Sequence, residues 1–451
     1  MPFRRFFERG GKGGGEERAA SNVDAADAVA DVDEPAESSD AAIDESIPAE
    51  HDEADWLTRA RAVMPTGAST GSKRIEALYG AADASGPTHF VQAVGCRLAD
   101  VDGNEYVDCT MALGSVALGY AEPNVTRAVV DAIAAGTVSA LSNVREVQVA
   151  ERLCGIIPCA DKVQFLKTGA EAMAAAVRIA RTYTAREVVV GAGYFGWLDW
   201  SADDTAGVPD GTRRAFRRVP HDDVAALERA VSEAGAALAA IAIEPVVERL
   251  PSAEWIGRAR ELATAAGAVL IFDEIKTGFR LRTGGYQAYA DVVPDLAAFG
   301  KAMANGFPLA IVAGDRDVMD AARTTWISST LASEASALAA ASAVLDWHDA
   351  ADVCESLWHV GAEMRRAVSD AIAASGVEGV TVDGLDPMWM LRFDRPDRER
   401  RFLELAAAHG VLLKRGAYNY AALAHDEAAI RDLESGVSDA FVELRDEEAG
   451  R

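Results

Sequence analysis

The chain has 451 residues, 50% of them hydrophobic, and a formal net charge of −27 from 71 acidic and 44 basic side chains. That length allows a large core and two domains. A surface this acidic repels nucleic acid and anionic membranes, which excludes both as expected partners.

Five cysteines (Cys96, Cys109, Cys154, Cys159, Cys354) form no CxxC pair, and the odd count argues against a disulfide framework. No apolar run reaches transmembrane length and no signal-peptide stretch opens the chain, so a soluble, cytoplasmic protein is expected. Lysine occurs only seven times against 37 arginines. A lysine-poor acidic surface adapted to salt and a codon-biased genome both explain that ratio. The seven histidines are scattered without ligand spacing, so no metal site is expected.

Residues 1 to 55 stand apart. From Ala19 to Asp55 there are 13 acidic residues and no lysine or arginine. Such a segment buries too little apolar area to offset its ordering entropy and reads as a disordered, solvating tail. A short helix is expected from Trp56 to Met64, then a Gly/Ser/Thr loop, PTGASTGSKR. His89 to Cys109 alternates around Asp102, Gly103 and Asn104 and reads as a hairpin. Residues 56 to 109 form an N-terminal segment expected to pack with the small domain.

Residues 110 to 345 alternate short apolar runs with Ala-rich amphipathic stretches. The runs are Val163 to Leu166, Val188 to Val190, Ala240 to Ile243, Ala268 to Phe272, Leu296 to Phe299 and Ala310 to Ala313. Helices are expected at Glu171 to Tyr183, Asp222 to Ala234 and Glu254 to Ala266. This pattern predicts an α/β fold, a mostly parallel central sheet covered by helices. Residues 346 to 451 mix helices and short strands and suggest a smaller α+β domain. In such sheets the ligand sits at the carboxyl ends of the strands.

Four groups fall at strand ends. Asp273 closes the apolar run AVLIFD, where a carboxylate is costly to bury without a partner; a helix N-cap is the ordinary alternative. Lys301 follows LAAFG, where desolvation lowers its pKa and frees the amine as a nucleophile; snorkelling to water is the alternative. Gly169 and Ala170 follow FLKT and lead into a helix whose first amides suit a phosphate, although many strand-to-helix turns look alike. Tyr194 and Trp197, in GYFGWLDW, could stack on a planar ring or simply pack in the core. Together they match the needs of a pyridine aldehyde cofactor: an amine for the Schiff base, a carboxylate for the ring nitrogen, a phosphate cradle and a stacking face.

On these residues the chain resembles the class-III aminotransferases, which include glutamate-1-semialdehyde aminomutase. The most specific pieces are LIFDEIKTGFR and FGKAMANGFP, supported by LADVDGNEYVD, SSTLASEASALAAASAVL and LAHDEAAIRD. The resemblance runs from about Trp56 to about Leu444. It implies the type-I pyridoxal-phosphate transferase fold and pyridoxal 5'-phosphate as cofactor. It also implies a homodimer in which Thr330 reaches the neighbouring subunit's cofactor phosphate. Carried onto matching positions, Lys301 is the Schiff-base lysine and proton shuttle, and Asp273 pairs with the ring nitrogen. Gly169 and Ala170 contact the phosphate, Tyr194 stacks on the ring, and Glu244 lies near the substrate.

The chain departs from the family pattern at several points. Ala170 replaces a threonine in the phosphate turn, and Phe195 and Trp197 replace two histidines. Glu334 stands where an asparagine is expected. PTGASTGSKR replaces the usual substrate loop, leaving Lys73 or Arg74 as the candidate for a substrate carboxylate.

The expected reaction moves an amino group between a small amino compound and a keto or aldehyde acceptor. The alternative is the intramolecular transfer of the aminomutase. A non-catalytic binding protein on the same fold would be marked by loss of Lys301 or Asp273, and both are present. A nicotinamide enzyme would need a GxGxxG after a strand, and none occurs.

Overall fold

The computed structural model describes residues 55–450, so the tail expected over residues 1 to 55 lies outside the described residues except for Asp55. Asp55 caps the helix Trp56–Val63 by accepting from Thr58 N. The hairpin follows as expected, with one strand more. Phe90–Val94 (β1), Arg97–Asp100 (β2) and Glu105–Asp108 (β3) form an antiparallel meander. Asp100 closes its turn: Oδ1 accepts from the amides of Asp102 and Asn104 at 2.9 and 2.8 Å.

A seven-stranded sheet lies at the centre. In chain order its strands are Lys162–Leu166 (β4), Val188–Ala192 (β5), Phe216–Arg218 (β6), Leu238–Ile243 (β7), Val269–Asp273 (β8), Leu296–Phe299 (β9) and Ala310–Gly314 (β10). The spatial order is β4-β10-β9-β8-β7-β5-β6. All neighbours are parallel except β10, which runs antiparallel to both β4 and β9. The other six strands therefore end on one edge. Six of the seven were expected; β6 has three residues, two of them arginine, and carries no apolar run.

Strand alternation sends residues to two cores. Val189, Ala240, Ala242, Ile271, Ala298 and Val312 face a layer built on the helix Gly169–Thr184. Their neighbours Val190, Ile241, Leu270, Phe272, Phe299 and Ile311 face the larger core, with Trp255 and Leu338. Both faces are buried, which is why these strands read as continuous apolar runs.

Val380–Leu385 (β11) and Met388–Phe393 (β12) form a smaller antiparallel sheet, which Asn419–Tyr420 (β14) joins beside β12. Val411–Leu412 (β13) instead pairs in parallel with β3. The C-terminal segment is thereby hydrogen-bonded to the N-terminal meander. Lys414 Nζ reinforces this by donating to the carbonyls of Ser72 and Ala77. The five cysteines are free, and among the described residues no helix is long and apolar enough to cross a membrane.

Candidate active site

The strand ends of the central sheet bring the chemistry together. Asp273 is the last residue of β8 and pairs in register with Ala298 of β9, three residues before Lys301. Asp273 is 6% exposed. Among the described residues its side chain has one hydrogen bond, accepted from Ile275 N at 3.0 Å. Burial, then the nearby charge of Glu244, raises its pKa to about 8. The N-cap alternative fails, since no helix begins at this position.

Lys301 opens a single turn, Lys301–Ala304, with φ of 47°. Left-handed backbone is uncommon for a lysine and gathers at functional sites. Asn305 locks the turn: it accepts from the amides of Ala117 and Leu118 at 3.0 Å and donates to Gly119 O at 2.9 Å. Lys301 is half-buried. Burial, then the cation of Lys276, lowers its pKa to about 8.

The phosphate turn begins its helix two residues earlier than expected. Thr168 is the N-cap, with Glu171 returning a hydrogen bond to the Thr168 amide, a complete capping box. Among the described residues the Gly169 and Ala170 amides have no partner. Gly169 passes close over Ile275: a Cβ there would lie 3.1 Å from its side chain, which would have to shift by a few tenths of an ångström. Gly196 must be glycine because a Cβ would meet that of Ala170 at 2.5 Å, so the aromatic loop sits against the phosphate turn. Replacing Thr168 with alanine should destabilise the fold by about 1 kcal/mol, read as a lower denaturant midpoint with an unchanged slope.

The aromatic run divides. Phe195 and Trp200 pack in the core with Phe216, so the ordinary packing alternative holds for them. Tyr194 and Trp197 remain 61% and 75% exposed. The Tyr194 amide donates to Glu244 Oε2 at 3.0 Å.

Glu244 follows β7 and joins the cluster through a residue that the motif reading did not single out. Lys276 Nζ lies 2.6 Å from Glu244 Oε1, with side-chain exposures of 8% and 14%. Lys276 also donates to Tyr418 OH at 3.1 Å. The sequence signal was available: a lysine three residues after Asp273, in a chain with seven.

The rest of DEIKTGFR is structural. Glu274 accepts from the Tyr286 and Gln287 amides and from Thr277. Buried Arg280 donates to the carbonyls of Gly114, Pro387 and Ala421.

Other expected residues lie outside this cluster within one chain. Thr330 is exposed, four residues before Glu334. Glu334 caps the helix Ala335–Ala350 and takes a hydrogen bond from Lys167 Nζ at 2.8 Å, tying that segment to the phosphate turn. Lys73 and Arg74 are exposed. Arg74 lines an open groove of about 680 Å³ with Arg61, Thr66 and Glu76, and neither Asp273 nor Lys301 borders it.

These residues fit pyridoxal phosphate. A buried carboxylate with one hydrogen bond, an amine and two helix-start amides that have no hydrogen-bond partner among the described residues, and the Ile275 side chain beside Gly169 and Gly300 supply what the cofactor requires. Fold and site together define a pyridoxal-phosphate enzyme of the type-I transferase fold.

The family follows from the comparisons. The model for aminotransferase class-III matches residues 79–192 and 210–424, and the chain belongs to this family. Glutamate-1-semialdehyde 2,1-aminomutase of Pyrobaculum neutrophilum is 32% identical over 86% of this chain and 98% of that protein. The 2'-deamino-2'-hydroxyneamine transaminase of Streptomyces kanamyceticus is 33% identical over 73% of this chain and 84% of that protein. Among solved structures, the PLP internal aldimine form of the FumI protein from Sphingopyxis sp. MTA144 superposes with a TM-score of 0.82 at 25% identity, covering 87% of this chain and 96% of that chain.

Proposed function

We propose that the chain is a homodimeric, cytoplasmic aminotransferase acting on a small amino donor and a keto or aldehyde acceptor, with Lys301 as the lysine that carries the cofactor. The observation that supports this most is the pairing of β8 and β9, which sets a desolvated amine beside a buried carboxylate.

Bound pyridoxal phosphate supplies an electron sink conjugated to the amino-bearing carbon of the substrate. The protein does the rest. Lys301 Nζ, displaced by the incoming amine, takes the proton from that carbon and returns it at the acceptor position. With its pKa near 8, the amine is poised to give and take a proton near neutrality. Asp273 holds the ring nitrogen protonated, and in return the ring cation offsets the burial of the carboxylate. The amides of Gly169 and Ala170 bind phosphate at the helix start. Ile275 and Tyr194 would flank the ring when it is bound. Thr330 completes the phosphate site of the partner subunit. Lys73 or Arg74, with Glu244 and Trp197, contributes to substrate selection.

The relatives named glutamate-1-semialdehyde 2,1-aminomutase favour a second reading, intramolecular transfer. An assay separates the two. With glutamate-1-semialdehyde and no keto acid, the transaminase forms little 5-aminolevulinate, while simple amines convert the cofactor to its amino form in a half-reaction. Efficient 5-aminolevulinate formation with no response to amine donors contradicts the leading reading.

A further inference from the structure

Lys276 is a buried cation that the family role of Lys301 does not require. It meets two separate segments: Glu244 after β7 at 2.6 Å, and Tyr418 in the C-terminal segment, whose OH lies at 3.1 Å and whose ring centroid lies at 4.2 Å. Tyr418 is itself fixed, its hydroxyl accepting from Glu248 N at 2.6 Å. Glu244 is held from the other side by the Tyr194 amide. The ion pair is thus anchored at both ends and lies among the strand-end groups of the site.

We propose that the Lys276–Glu244 ion pair is a positioning element for Lys301, a fixed dipole beside the amine that governs whether the amine carries a proton. The inference rests on Lys301 being the reactive amine. Strand register places the pair near Lys301: Ile243 pairs with Phe272, so Glu244 follows beside Asp273, which pairs with Ala298 three residues before Lys301. The charges acting on the amine are those of Lys276, Glu244, Asp273 and Arg280. Lys276 and Arg280 repel a proton there, while Glu244 and Asp273 attract one. Burial opposes the charge of Lys276, yet Glu244, Tyr418 and Tyr420 hold it above the ordinary lysine value. Lys276 therefore stays charged throughout the working range of Lys301. Glu244 also acts on Asp273, raising it after burial. The two partners pull Lys301 in opposite directions, on top of the lowering that burial imposes. A purely structural ion pair does not have this property: breaking it from either end would produce the same loss.

The test uses that opposition on the full-length chain. In the cofactor-loaded protein the visible absorbance is titrated against pH. In the stripped protein the Lys301 peptide is followed by mass spectrometry during acetic anhydride labelling across pH. Lys276→Met should move both midpoints upward by about one pH unit, a tenfold change in protonation ratio. Glu244→Gln should move them downward. The double variant, which replaces a buried pair with neutral groups, should return close to wild type and remain folded. Lys276→Arg should keep the wild-type midpoints. If Lys276→Met fails to fold, Glu244→Gln and the double variant carry the test. Midpoints that stay fixed, or that move in the same direction in both single variants, overturn the inference alone. A wild-type Lys301 that labels like a surface lysine and gives no visible band overturns the functional reading, and this inference with it.

Discussion

Lys301→Ala should abolish turnover, by about 10⁴-fold or more, since the proposed mechanism routes both the covalent attachment and the proton transfer through one amine. The visible absorbance that accompanies attachment disappears with it. The fold should survive. The substitution removes a desolvated amine, and the turn that carries it is held by Asn305 through the backbone at positions 117 to 119. Asp273 and Glu244 keep their places at neighbouring strand ends, and Lys276 keeps its place in the loop after β8. Circular dichroism should therefore match wild type while steady-state rates collapse. An added small primary amine should restore a fraction of the proton transfer. Wild-type turnover in this variant would remove Lys301 from the mechanism.

Asp273→Asn should show the opposite effects on stability and activity. In the cofactor-free fold the carboxyl holds its proton up to about pH 8, because burial and then Glu244 oppose its charge. In the unfolded chain the same group loses its proton near pH 4. Between those values the folded state binds more protons than the unfolded state. Stability therefore falls as pH rises from about 4 to about 8, and the full penalty is present above that. Asparagine has the same shape and no charge to bury. The stripped variant should be more stable than stripped wild type at pH 8 by about 5 kcal/mol, with little difference at pH 4. Denaturant unfolding at several pH values measures the gap, and a gap that narrows as pH rises contradicts the assignment. Turnover in the loaded variant should fall by about 100-fold or more, since a neutral amide does not keep the ring nitrogen protonated.

The central sheet was legible because its strands are buried on both faces. β7 and β8 are unbroken apolar runs, and six of seven strands appear in the sequence for that reason. β6 was not legible, since Phe216–Arg218 is short, polar and held only at the sheet edge. Asp273 and Lys301 were legible as a charge ending an apolar run, a pattern that costs free energy unless it has a use. Lys276 was hidden because it sits within a loop, and its burial depends on Glu244 and Tyr418, residues distant in sequence. The split of the aromatic run was also hidden. No local periodicity tells Phe195, which is stacked on Trp200, from Tyr194, which is exposed. The start of the phosphate helix was misplaced by two residues because the capping box of Thr168 and Glu171 went unread. The expected Glu334 anomaly has a physical partner in Lys167, a contact between residues far apart in the chain.

Borohydride reduction of the protein loaded with pyridoxal phosphate, followed by peptide mass spectrometry, tests the central claim most directly. The chain has seven lysines, so the outcome is sharply defined. The account predicts a phosphopyridoxyl group on the Lys301 peptide and no other. Modification of a different lysine, or none at all after loading, would contradict it.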